Sequence, residues 1–327
     1  MRILIVKTSS MGDVVHALPA VSDLAAALPE ARIDWLVERA FAAIPQQHRA
    51  VRRVIPLAWR KWRRSLLKPS GTQARAEFGA WWSELRGERY DLVIDLQGLV
   101  KSALFASCAH GPRAGYDRDS IREPLASLFY GRSFAVPRNL QAVVRCRRLV
   151  AAILGRPQPV DAPDFGLRGR EAPADAVAAA AVPEGDYGVL IPCASRAEKL
   201  WPEDAWIALG RQWLARGRRP VILWGSPEEE ARARRIAQSC EGSVPPFLSV
   251  GQTMPLLAGA QEVIGLDTGL THLAAAFGPP TLGIYCDHDP GLAGVTGPGR
   301  VASVGGKGVV PGLEQVQRAL ADLQHGP

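Results

Sequence analysis

Apolar residues fall along this chain in short continuous runs separated by longer stretches in which they recur every three or four positions. Residues 3–6 (Ile-Leu-Ile-Val) are such a run, the pattern of a strand buried on both faces, and residues 14–28 (VVHALPAVSDLAAAL) carry the helical period directly after it. Further runs at 33–37, 51–57 and 92–96 predict strands, with helical segments between most of them, which is the grammar of βαβ units on a parallel sheet. Residues 156–163 (RPQPVDAP) are Pro-rich, lack periodicity and read as a linker. Alternation then resumes: strands at 188–191, 220–224 and 263–266, and helices at about 203–215 and 228–239. The expectation is an α/β fold of two Rossmann-like, doubly wound domains facing a cleft: an N-terminal domain at 1–160, a C-terminal domain at 161–311, and a helix and tail at 312–327 that could pack on either. In such sheets ligands bind beyond the carboxyl ends of the strands.

Composition narrows the class. A chain of 327 residues, 47% hydrophobic and 22% charged, is ordinary globular material long enough for two cores. No apolar run approaches the roughly 18 residues of a membrane span, and the amino terminus enters a structured strand without a secretory pattern, so a cytoplasmic protein is expected. Five cysteines, widely spaced and without a CxxC pair, point to buried thiols. The formal charge of +7 favours an acidic partner: nucleic acid, phosphorylated substrate or anionic membrane. Part of that charge is concentrated in Trp59-Arg60-Lys61-Trp62-Arg63-Arg64, followed by Leu66, Leu67 and Lys68. Four cations beside two indoles can bind phosphates, stack on rings or lie on a membrane, or can be a solvated face whose indoles are tucked into the core.

Candidate chemistry collects at strand ends. Ser9, Ser10, Met11 and Gly12 form a polar turn between the first strand and its helix, and Asp13 follows, placed either as a helix cap or as a carboxylate at a ligand site. The strand at 263–266 ends in Asp267-Thr268-Gly269-Leu270-Thr271-His272 and leads straight into a helix, the arrangement of a phosphate cradle, with Asp267 orienting the turn; a capped helix without ligand fits the same residues. Ser195 and Lys199 follow the strand at 188–191 and suit a phosphate leaving group. A glutamate after Trp224 could take both hydroxyls of a ribose, although Glu228, Glu229 and Glu230 also suit a helix amino terminus. No G-x-G-x-x-G follows the first strand, and Gly305-Gly306-Lys307-Gly308 lacks the rest of a P-loop, which weakens dehydrogenase and ATPase readings. Asp287-His288-Asp289 is a D-x-D triplet, with Cys286 and His272 as possible further ligands; hard cations need more oxygen ligands, and no metal is expected.

Taken together, the opening MRILIVKTSSMGDVVHALPA, VIPLAWRKWRR, DLVIDLQGLVKSAL, REPLASLFY (residues 122–130), LDTGLTHLAAA and Asp289-Pro290-Gly291-Leu292 resemble the ADP-heptose-dependent lipopolysaccharide heptosyltransferases. The KTSSMGD opening favours the branch that adds the first inner-core heptose over the branch that adds the second. The resemblance implies a two-domain glycosyltransferase of the B architecture, inverting and metal-free. Its donor would be ADP-L-glycero-β-D-manno-heptose and its acceptor the Kdo disaccharide of lipid A, reached at the cytoplasmic face of the inner membrane. It implies that Asp13 is the general base, that Lys199, with Ser195 nearby, contacts the donor diphosphate and Glu229 the ribose. Asp267, Thr268, Gly269, Leu270 and His272 would hold the diphosphate and heptose. Ser10, Gly12, Arg60, Lys61, Arg63, Arg64 and Arg122 would face the phosphorylated acceptor. Pro192-Cys193-Ala194 and Cys286-Asp287-His288 depart from the more polar stretches expected there, so a related glycosyltransferase with another nucleotide-sugar donor is the alternative. A two-lobed binding protein or a nucleic-acid binder is disfavoured by the missing export signal and by the lack of a nucleic-acid module.

Overall fold

Four of the five residues of strand β1 (Arg2–Val6) are fully buried, and this strand lies at the centre of a six-stranded parallel sheet. The computed structural model describes residues 1–65, 68, 71–168 and 175–325; Leu66, Leu67 and the last two residues of the tail lie outside the described residues. The chain divides into two compact units, Met1–Gly166 and Leu167–Pro327.

In the first unit β1 is flanked by β2 (Arg32–Glu38), then β3 (Val51–Leu57), on one side, and by β4 (Leu92–Asp95), β5 (Arg113–Tyr116) and β6 (Arg132–Phe134) on the other, giving the order β3-β2-β1-β4-β5-β6. This doubly wound order reverses direction between β1 and β4, so the crevice for a ligand lies beyond their carboxyl ends. The strands expected at 3–6, 33–37, 51–57 and 92–96 are present, and the helix after β1 runs Met11–Ala27.

The second unit holds a parallel sheet of β7 (Tyr187–Ile191), β8 (Arg219–Ile222), β9 (Glu262–Leu266), β10 (Thr281–Tyr285) and β11 (Val301–Gly305), in the order β11-β10-β9-β7-β8. Its reversal falls between β7 and β9. The helix Leu313–His325 packs on β10 and β11, with Val316, Leu320 and Leu323 entering the core of this unit beside Trp201, Trp206 and Trp213. No described helix is long and apolar enough to cross a membrane.

The basic segment is the helix Trp59–Ser65. Trp62 is fully buried, packs edge-on to Phe78 at 5.5 Å between centroids, and donates from Nε1 to Glu77 Oε2 at 3.1 Å. Trp59 meets Phe105 edge-on at 5.4 Å. The indoles therefore anchor the helix in the core of the first unit rather than stacking on a ligand or lying on a membrane, because burial of so large a ring outweighs a surface role. Arg60, Lys61, Arg63 and Arg64 stay exposed on the outer face. Replacing Trp62 by Ala is expected to destabilise the first unit by about 3–5 kcal/mol, read as a lower urea midpoint. An unchanged midpoint would contradict the anchoring role.

Candidate functional site

The turn after β1 is closed by a reciprocal cap. Ser10 precedes the helix and Asp13 is its third residue; the N–H and the Oγ of Ser10 both donate to Asp13 Oδ2 at 2.9 Å. Asp13 Oδ1 lies 3.8 Å from Lys7 Nζ. The cap and the reactive carboxylate are thus not alternatives: one oxygen orients the side chain while the other faces a cation. Lys7 is itself pinned, its side chain 7% exposed and its Nζ donating to the carbonyl of Leu96 at 2.8 Å. Gln97 completes the frame, since its Oε1 accepts from the N–H groups of Thr8 and Ser9, both at 3.0 Å. The end of β4 thereby fixes the turn after β1.

Burial pushes the Asp13 carboxyl up, but the Lys7 ammonium, the hydrogen bonds from Ser10 and the nearby His16 outweigh it, so the group is held below the usual aspartate range. Asp13 is ionised at neutral pH. Beside it opens a cavity of about 100 Å³ whose walls include Lys7, Asp13, His16, Gln97 and Arg122. Arg122 is thereby placed with Asp13. Gly12 lies in the first turn of the same helix. Lys61 pairs with Glu77 at 2.7 Å, and Arg60 uses its N–H on Glu38 Oε1 at 3.2 Å.

In the second unit, the 3₁₀ turn Ala197–Lys199 after β7 brings Lys199 Nζ to Asp267 Oδ2 at 2.5 Å, and His272 Nε2 lies 3.6 Å from Asp267 Oδ1. Burial raises the Asp267 carboxyl, yet hydrogen bonds and charge from His272 and Lys199 more than offset this and hold it well below the usual range. Asp267 thus fixes two basic side chains at the start of the helix Gly269–Phe277. Thr268 is the N-cap residue, and Gly269 and Leu270 open the helix with N–H groups that suit an anion. Thr271 Oγ1 donates to the carbonyl of Leu266 at 2.6 Å, and a Cβ on Gly265 would lie 2.2 Å from that oxygen, so glycine there allows helix and strand to approach. Ser195 is exposed on the loop after β7. Glu229 folds back, Oε2 accepting from Gly225 N–H at 2.8 Å. The D-x-D carboxylates serve the fold: Asp287 pairs with Arg196 at 2.9 Å, and Asp289 caps Gly291 N–H at 2.8 Å.

The family model for glycosyltransferase family 9 (heptosyltransferase) matches residues 78–315. The chain is 43% identical over 299 residues to lipopolysaccharide heptosyltransferase 1 of Escherichia coli strain K12, covering 90% of each. It is 44% identical over 303 residues to lipopolysaccharide heptosyltransferase 1 of Pseudomonas aeruginosa, covering 92% of this chain and 83% of that one. The solved E. coli heptosyltransferase WaaC with ADP superposes with a TM-score of 0.86 at 39% identity, covering 99% of this chain and 100% of that one. The chain belongs to glycosyltransferase family 9, the heptosyltransferases.

Lys7, His16, Gln97, Tyr116 and Arg145, on the wall of the cavity beside Asp13, were given no role from sequence. Lys7 and Gln97 sit just past the buried runs of β1 and β4, each a polar residue at the end of such a run, within the KTSSMGD and DLVIDLQGLVKSAL segments. Because the folded-state value of Asp13 is depressed, its carboxylate contributes stability above the unfolded value of about 3.9, and that contribution is lost as pH falls through the folded value. A carbon-13 NMR titration is expected to place Asp13 below about 3.9, and to place it higher in Lys7→Met. An Asp13 titration unmoved by Lys7→Met would show that the ammonium does not set it.

Proposed function

We propose that this family-9 glycosyltransferase moves L-glycero-D-manno-heptose from ADP-L-glycero-β-D-manno-heptose to the Kdo region of Kdo2-lipid A, in one inverting displacement with Asp13 as general base and without a metal. The observation that carries the reading is the Asp13 carboxylate itself, ionised, oriented by Ser10 through one oxygen and set on the wall of a cationic cavity. The acceptor hydroxyl attacks the anomeric carbon on the face opposite the nucleotide. As the new C–O bond forms, the bond from that carbon to the diphosphate oxygen breaks, Asp13 takes the hydroxyl proton and ADP leaves. A carboxylate held below its usual range is a modest base, so it acts late, when attack has already acidified the hydroxyl.

The leaving diphosphate acquires negative charge, and the start of the helix Gly269–Phe277, with Thr268, Lys199 and His272 around it, suits that charge. Lys199 is paired with Asp267, and a bound diphosphate would compete for the same ammonium. Ser195, on the loop after β7, and Glu229, in the first turn of the helix Pro227–Ser239 that follows β8, are assigned to the diphosphate and the ribose, Glu229 exchanging its bond to Gly225 for a ribose hydroxyl. Arg60, Lys61, Arg63 and Arg64 present exposed positive charge suited to acceptor phosphates, and the protein acts at the cytoplasmic face of the inner membrane. The solved relative was obtained with ADP, which agrees with an adenine nucleotide donor.

Asp13→Asn is expected to lower kcat by about 10²–10⁴-fold while the Kd for ADP-heptose stays within about twofold. Wild-type turnover by the folded variant would remove Asp13 as the base. Acceptor-dependent release of ADP is expected to persist in a chelator and to give an α-linked product by NMR. Faster turnover with a UDP- or GDP-linked sugar would move the enzyme to the alternative donor class.

A further inference from the structure

Three segments that stand out in the sequence of the first unit, KTSSMGD, DLVIDLQGLVKSAL and REPLASLFY, are tied together by one buried side chain. Asp95, the last residue of β4, is 1% exposed. Its Oδ1 accepts from the N–H groups of Gln97 at 2.8 Å and Gly98 at 3.2 Å, and its Oδ2 from Ser102 Oγ and Tyr130 Oη, both at 2.8 Å. Four donors fill the acceptor positions of a carboxylate, so this group acts on its neighbours rather than on a substrate. No described cation forms an ion pair with it, and burial pushes its carboxyl up against the pull of the hydrogen bonds. Because the folded value is raised, ionised Asp95 subtracts stability at pH above the folded and unfolded values. A well-packed apolar residue would fill the site at less cost, so what the carboxylate supplies is geometry.

That geometry reaches Asp13 through residues 96–98. The Leu96 carbonyl holds Lys7 Nζ, and Gln97 Oε1 holds the N–H groups of Thr8 and Ser9. The other arm of Asp95 reaches Tyr130, in the segment that begins with Arg122 on the cavity wall. The Tyr130 ring lies against Gly115 of β5, where a Cβ would come within 2.5 Å of it. Burial and the Asp95 charge push the Tyr130 phenol well up, so the proton stays on Tyr130 and the bond keeps its direction. The near end of the segment is tied to the same turn: Glu123 N–H donates to the Gly98 carbonyl at 3.2 Å, and Glu123 Oε2 accepts from Val100 N–H at 2.7 Å.

We propose that Asp95 is a positioning residue for the transfer: it locks the turn 96–98 in which Lys7 and the Asp13 carboxylate are set, and through Tyr130 it locks the segment 122–130 to the same frame. The proposal rests on Asp13 being the general base. A misplacement of about 1 Å at a reacting group is enough to cost about 100-fold in rate, so a frame closed by four hydrogen bonds has a direct kinetic consequence.

The test compares Asp95→Ala, Asp95→Asn and Tyr130→Phe in the full chain, reading kcat, the KM for ADP-heptose and the carbon-13 titration of Asp13. Asp95→Ala is expected to lower kcat by about 10- to 100-fold, with the KM for ADP-heptose within about twofold. It should also raise the Asp13 titration, because Lys7 and Ser10 no longer hold the carboxylate in place. Loss of the Asp95 charge alone would lower that titration, so its direction separates a loosened frame from a removed charge. Asp95→Asn keeps an oxygen for the Gln97 and Gly98 N–H groups, and is expected to recover most of kcat and to return the Asp13 titration to the wild-type value or below. Wild-type kcat or a lowered Asp13 titration in folded Asp95→Ala would overturn the proposal, as would an Asp95→Asn no more active than Asp95→Ala. If Asp95→Ala fails to fold, Tyr130→Phe decides: a kcat about 3- to 10-fold lower at unchanged KM for ADP-heptose supports the proposal, and an unchanged kcat refutes it. The Asp13 titration is read without turnover, so it reports on Asp95 even if Asp13→Asn shows that another group is the base.

Discussion

One buried ammonium organises the first unit's site. Lys7 follows β1 directly, where β1, β2 and β4 end together: its N–H donates to the carbonyl of Leu36 at 3.2 Å, its own carbonyl accepts from Trp35 Nε1 at 3.2 Å, and its Nζ donates to the carbonyl of Leu96 at 2.8 Å. A cation so placed requires nearby negative charge, and Asp13 supplies it at a distance that attracts without close pairing. The same electrostatics keep Asp13 ionised and weaken it as a base. Gln97 binds the turn from the far side, so the carboxylate is positioned by the ends of two strands as well as by its own helix.

The two units solve one physical problem twice. Each sheet reverses its winding beside its first strand, and each places a helix start beyond that reversal. In the first unit a carboxylate occupies the helix start, where Ser10 fixes its orientation. In the second the helix start is left to backbone N–H groups, and the carboxylate of Asp267 has moved to the strand end, where it holds Lys199 and His272. The first arrangement suits a hydroxyl that loses a proton, the second a diphosphate that gains charge.

How much of this could be read from sequence depended on burial and on distance along the chain. The strands β1, β2, β4, β7, β8 and β9 were legible because a strand buried on both faces is a nearly continuous apolar run, and β3 (VRRVIPL) was legible from its aliphatic residues although Arg52 and Arg53 interrupt them. β5 (RAGY), β6 (RSF) and β11 (VASVG) are short and carry small or polar residues that pair only because the sheet is already there, and β10 (TLGIY) is entirely buried yet interrupted by glycine. Asp13, Lys199 and Asp267 stood out because each lies in the segment that connects such a run to the helix after it or in that helix's first turn. Arg145 gave no sign: it lies within the helix Ala142–Leu154 among other arginines, and only the fold brings it to Tyr116 and the cavity. The indoles of the basic helix left two readings open for the converse reason, since a sequence shows that Trp62 neighbours arginines but not that it points into the core.

The central claim is that Asp13 receives the proton of the attacking hydroxyl, and the most direct measurement is a crystal structure of the enzyme with ADP and the Kdo disaccharide acceptor. The account predicts the attacking hydroxyl oxygen within about 2.6–3.2 Å of Asp13 Oδ1, with Oδ2 still held by Ser10. A hydroxyl resting instead against His16, with Asp13 out of reach, would contradict it.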